Sequence, residues 1–196
     1  MSKVIVRVGG VATALAGMLI IGQEIWDVAV QGIQEGPGES ALHSTWVLLL
    51  VFGLLGLHLH QQHAAGVFGE IATLVALFGT VTLFAAALTE VTVLPNLPKE
   101  VADEPFPGLL VVFIGSFVAY VVGLLLFGIA TWRARVLPRP AAALLVIGLV
   151  LALALKSFVP GILAVLGVAL TWLGAATVAE ARTVTTAPEP TVPART

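Results

Sequence analysis

Residues 109–132 read LLVVFIGSFVAYVVGLLLFGIATW, and Arg133, Arg135 and Arg139 follow directly. No charge interrupts the run, and its polar side chains are only Ser116, Tyr120 and Thr131. About 20 apolar residues span the roughly 30 Å hydrocarbon core of a bilayer. A helix is the one form in which a lone segment satisfies its own backbone there. The rest of the chain agrees, since apolar residues make up 59% of it and charged residues 10%. Soluble domains carry about 25% charged residues, and so small a polar coat cannot cover a globule of this size in water.

Working outward from that segment, further apolar runs lie at about 8–26, 45–59, 67–88, 140–155 and 159–178. The expected fold is therefore an all-α integral membrane protein, a bundle of six transmembrane helices occupying residues 1–182. The runs at 45–59 and 140–155 sit near or under the ~17-residue lower limit for a crossing. Pro37 between two glycines, the prolines at 95, 98, 105 and 107, and Pro138 with Pro140 supply breaks between the runs. Only Lys156, Ser157 and Phe158 separate the last two, which predicts either a tight helical hairpin or one long broken helix.

Charge sets the direction. With six crossings, Lys3, Arg7, Arg133, Arg135, Arg139, Arg182 and Arg195 all fall on one side. The positive-inside rule makes that side cytoplasmic, with both termini on it, in the cytoplasmic membrane. The opposite side receives most of the carboxylates, with Lys99 and Lys156. The amino terminus also carries features of a secretory signal, but the run continues apolar through Ile20 and Ile21, which favours a retained anchor. Residues 183–196, rich in Thr, Ala, Val and Pro, cannot bury enough apolar area to order themselves and are expected to be a disordered cytoplasmic tail.

Small residues recur at four-residue spacing in Gly9, Thr13 and Gly17 and in Gly115, Ala119 and Gly123, giving smooth stripes for close helix approach. They serve packing within one bundle or a homodimer face. Trp26, Trp46 and Trp132 are placed as interfacial anchors. The run Arg135-Val136-Leu137-Pro138-Arg139-Pro140 before an apolar helix, and Leu170-Thr171-Trp172-Leu173-Gly174 in the last one, resemble a widespread family of small uncharacterised multi-span membrane proteins of actinobacteria and relatives. The resemblance covers the second to sixth runs. It implies a fold of five to seven transmembrane helices in the cytoplasmic membrane and brings no catalytic residue with it.

Chemistry at membrane depth needs ionisable groups, because a charge there costs at least about 2.5 kcal/mol unless paired or neutralised. Glu24, Asp27, His43 and Glu90 are the candidates, all expected near the outer ends of the first three runs, with Gln23, Ser44 and Thr89 beside them. They form either a polar pocket fit for acid/base work or simply solvated helix ends. His58, His60 and His63 mark the inner end of the second run, with His58 and His60 on different faces. All four histidines lie on or beside that run, which argues against bis-histidine haem ligation. Glu70 is expected in a surface ion pair, with Arg133 nearby.

Without cysteine there is no thiolate chemistry, and no His-x-x-x-His motif supports a metal site. No basic patch with interleaved aromatics points to nucleic acid. No cofactor is implied. The expected function is a polytopic membrane module without a catalytic motif, an accessory subunit or a binder of a lipophilic ligand. The alternatives are an intramembrane enzyme acting on a lipid or isoprenoid through the outer carboxylates, and a small proton-coupled transporter. Expected partners are membrane lipids, a lipophilic small molecule, and a second copy or a larger membrane complex.

Overall fold

The computed structural model describes residues 2–29, 37–93, 96, 107–156 and 158–186, with side chains for all of these but 2, 37–39, 90, 107–110 and 183–186. Five helices and no strands are found among them: α1 (Ser2–Ala29), α2 (Pro37–Thr92), α3 (Pro107–Ala134), α4 (Arg139–Leu155) and α5 (Ala164–Thr186). Four contain stretches long and apolar enough to cross a membrane, at Lys3–Ala29, Ser40–Thr89, Val111–Ala134 and Ala164–Arg182. The fifth, Arg139–Leu155, is shorter.

Six separate helices are not what forms. The runs at 45–59 and 67–88 belong to the one element α2, which is broken at Gly66. Gly66 adopts φ 58 and ψ −165, a backbone region open essentially to glycine alone. The break reverses the chain. Residues 58 and 73 of an unbroken helix would stand about 22 Å apart, yet the Thr73 hydroxyl lies 3.0 Å from Nδ1 of His58. The two stretches flanking Gly66 are therefore antiparallel arms of a hairpin.

Small residues set how the elements meet. On α1, Gly9 abuts Gly56 of the first arm and Thr13 abuts Gly53. The opposite side of α1 meets α5, with Gly10 against Gly174 and Gly17 against Gly167 and Thr171. The second arm meets α3, with Gly79 against Ala119 and Tyr120 and Ala76 against Gly123. In each seam rising numbers on one helix meet falling numbers on the other, so all three pairs are antiparallel. Gly128 of α3 receives Leu145 and Val146 of α4, and Gly148 of α4 receives Leu166 and Val165 of α5. The expected stripes are thus used within the chain, apart from Gly115, which has open space around it.

The filled core includes Leu50, Leu54, Leu57, Leu124, Phe127, Leu145, Leu166, Leu170 and Leu173. Apolar side chains such as Val111, Phe113, Phe117, Ile147, Val150 and Trp172 face outward, as surfaces meeting lipid require. Between α4 and α5 the chain turns through residues 158–163, where Gly161 takes φ 85. The contact of Gly148 with Leu166 makes this connection a hairpin rather than one long helix. The last helix begins at Ala164 rather than near residue 159, and it continues through residues 183–186, expected as tail. Residues 187–196 lie outside the described residues.

Candidate functional site

Two polar clusters stand at opposite ends of this apolar bundle. At the first, the last turns of α1 bring Gln23 and Glu24 to the start of α2 and to Lys156 just beyond α4. Trp46 Nε1 donates to Gln23 Oε1 at 2.9 Å. The His43 ring meets Trp46 edge-on, with centroids 4.6 Å apart and planes at 64°. Such an edge contact is the favoured geometry of aromatic pairs. Trp46, expected as an interfacial anchor, is buried because its indole N–H has this partner, whereas Trp26 and Trp132 are exposed.

Glu24 is only 5% exposed. Its Oε1 lies 3.9 Å from Nζ of Lys156, whose side chain is 62% exposed. That separation permits Coulomb attraction but not a direct hydrogen bond. Lys156 is also near enough for its charge to act on His43. Among the described residues this buried carboxylate has one loosely held cation, which leaves most of its acceptor capacity uncommitted to them.

Of the residues expected at this end, Glu24 and His43 are brought into one neighbourhood through Trp46, Gln23 and Lys156. Asp27 is half-buried one turn beyond Glu24 and makes no ion pair among the described residues. Glu90 occurs in the last turns of α2, and its side chain lies outside the described residues. Ser44 and Thr89 bond back to the carbonyls of Ser40 and Ala85 within their own helix. Lys156 was legible as an outer cation, but only the turn after α4 pairs it with Glu24.

The second cluster surrounds the Gly66 end. Gln61 Nε2 donates to Thr131 Oγ1 of α3 at 3.0 Å. His60 Nε2 lies 2.6 Å from Oε2 of Glu180 on α5. His58 faces the second arm while His60 faces α5, so the two point apart as the helical spacing requires. Arg133 stacks over the Phe68 ring at 5.4 Å rather than pairing with Glu70. Glu70 is exposed, and no ion pair involves it among the described residues. No group of three or more His, Asp or Glu side chains suited to a metal ion occurs among the described residues.

Comparison with protein-family models, with curated proteins and with solved structures finds no match to this chain.

Proposed function

We propose that this chain is a multi-pass module of the cytoplasmic membrane that binds a lipophilic ligand, alone or as the accessory subunit of a larger complex. The polar end of the ligand reaches the Glu24 cluster, and its apolar part lies along the lipid-facing flank. Glu24 carries this reading: a carboxylate 5% exposed, whose nearest cation among the described residues is 3.9 Å away, has acceptor sites that none of those residues fills and that a ligand's hydrogen-bond donor can take. The core beneath is filled with leucine and phenylalanine side chains, which favours recognition at the end of the bundle rather than passage through it.

The same reading takes α2 as two crossings and α4 as one, giving six in all with both termini cytoplasmic. Its support is the distribution of cations. Lys3, Arg7, Arg133, Arg135, Arg139 and Arg182 belong to segments at the Gly66 end, and Lys156 stands at the Glu24 end. The positive-inside rule orients the Gly66 end inward.

A second reading draws on the same carboxylate. With His43 nearby, Glu24 is chemically suited to proton transfer on a lipid or isoprenoid substrate. One experiment separates the two. Wild-type protein and Glu24→Gln are purified in mild detergent, and the copurifying lipids are compared by mass spectrometry with the bulk membrane extract. A species enriched on the wild type and lost from an equally monodisperse variant supports ligand binding, while its conversion to a new mass by the wild type alone supports the enzyme. Identical bulk-like lipid on both proteins refutes both readings.

A further inference from the structure

A ligand that reaches the Glu24 end meets charges whose placement narrows its chemistry. Glu24 is only 5% exposed, yet its carboxylate is not sealed in. Among the described residues, the polar side-chain atoms buried without a partner are Gln61 Oε1 and the Tyr120 hydroxyl, and neither oxygen of Glu24 is one of them. The carboxylate makes no hydrogen bond with the described residues, so its oxygens must reach the surface through the small area the side chain exposes.

Lys156 stands beside it as the C-cap of α4. Its Nζ is 3.9 Å from Glu24 Oε1, beyond hydrogen-bonding range, and its side chain is mostly exposed. A carboxylate and an ammonium thus lie side by side, each with hydrogen-bonding capacity left. α1 and α4 both end here by their carboxyl termini, where the partial negative charge of a helix end favours a cation. Asp27, one turn beyond Glu24, adds to that preference.

The surface flanking the pair is apolar. Ile25, Trp26 and Val28 of α1 are exposed, as are Phe158 and Val159 in the turn after α4, Phe158 by 81%. Val28 packs at Gly161, which rests that turn on the end of α1. Charged groups among exposed apolar and aromatic side chains suit the headgroup layer of a bilayer better than open water.

We propose that Glu24 and Lys156 bind the headgroup of a zwitterionic phospholipid with a primary ammonium, the phosphatidylethanolamine class, its ammonium on Glu24 and its phosphate on Lys156. The proposal rests on the ligand reading above. An ammonium brings three N–H donors to the carboxylate, and a phosphate brings acceptors to the lysine. Lys156 can turn to the phosphate without breaking a hydrogen bond. An anionic phosphatidylglycerol headgroup satisfies Lys156 but meets like charge at Glu24 and Asp27. A choline headgroup carries both charges but has no N–H to donate. A neutral hydroxylated headgroup gains neither ion pair.

The test uses the full chain, purified in mild detergent, stripped of lipid and exposed to an equimolar mixture of phosphatidylethanolamine, its N,N-dimethyl derivative, phosphatidylcholine and phosphatidylglycerol with identical acyl chains. Retained lipid is quantified by mass spectrometry after gel filtration. Phosphatidylethanolamine should be enriched about tenfold or more over phosphatidylcholine and phosphatidylglycerol, the factor that a hydrogen bond to a charged group supplies, with the dimethyl form between. Glu24→Gln should return the ratios to those of the mixture, and Lys156→Gln should lower phosphatidylethanolamine retention while Lys156→Arg keeps it. Equal retention of the four lipids, preference for phosphatidylcholine or phosphatidylglycerol, or enrichment undiminished in Glu24→Gln overturns the proposal. Glycerophosphoethanolamine, the same headgroup without acyl chains, should not displace the lipid at equal concentration; displacement overturns the assignment to a lipid. A different copurifying species that is lost from Glu24→Gln leaves the ligand reading standing and sinks the headgroup assignment alone. Should Glu24→Gln fail to fold, the order of the four lipids on the wild type decides.

Discussion

Substituting Gly123 by alanine, with Gly115→Ala on the same helix as its control, tests whether glycine seams hold this bundle together. A methyl at Gly123 would lie 2.5 Å from the backbone nitrogen of Ala76 and 2.7 Å from the carbonyl carbon of Val75. Carbon contacts are comfortable at about 3.5–4.0 Å, so the second arm has to retreat by roughly 1 Å. These obstacles are backbone atoms and cannot rotate aside. Overpacking of this kind costs about 1–3 kcal/mol, while alanine recovers up to about 1 kcal/mol of helix propensity. The net expectation is a loss of about 1–2 kcal/mol. At Gly115 a methyl meets nothing within 4 Å, so only the propensity gain applies. Unfolding in detergent, followed by thermal melting or titration with a denaturing surfactant, should rank Gly115→Ala at or above the wild type and Gly123→Ala below it. A Gly123→Ala protein as stable as Gly115→Ala would refute the close seam between the second arm and α3.

Gly66→Ala should destabilise by about 1–3 kcal/mol, because its φ and ψ lie where a Cβ is strained. The expected drop in melting temperature has to appear even though a Cβ there meets no neighbour within 4 Å. Trp46→Phe removes the donor to Gln23 and should cost about 1 kcal/mol beyond the packing lost with the larger ring. A Gln23→Leu/Trp46→Phe double variant whose loss equals the sum of the single losses would show that the two side chains are not coupled. Single cysteines at Ser2, Gly38, Ala102 and Ala134 of this cysteine-free chain should react with an impermeant thiol reagent on intact cells only at positions 38 and 102. Labelling at position 134 contradicts the inward orientation of the Gly66 end.

Apolar length alone made the helices legible, since runs such as 109–132 have no other stable form in a bilayer. Their ends were less so. The second apolar run ends near Leu59, where the polar residues His60, Gln61, Gln62 and His63 follow, yet the helix continues to the break at Gly66. His60 and Gln61 remain helical there because Glu180 and Thr131 supply partners from distant elements. Local composition carries no trace of partners 120 and 70 residues away. The final helix starts later than its apolar run because Pro160 and Gly161 shape the turn before it. Glu24 was recognisable by its charge at a helix end, whereas its burial and its approach to Lys156 depend on elements distant in sequence. Small-residue spacing located the stripes on α1 and α3, but not which helix each would receive.

The two-sided packing of α1 bears on how the protein is made. Its Gly9 and Thr13 fit against the hairpin synthesised soon afterwards, while Gly10, Ala14 and Gly17 await α5, more than a hundred residues downstream. During synthesis α1 therefore enters the bilayer with half of its recognition surface unmet. A chain interrupted before α5 would leave backbone-lined notches facing lipid, where only loosely fitting acyl chains can fill them. Arrival of the Gly167-Gly174 surface replaces those chains with close backbone contact.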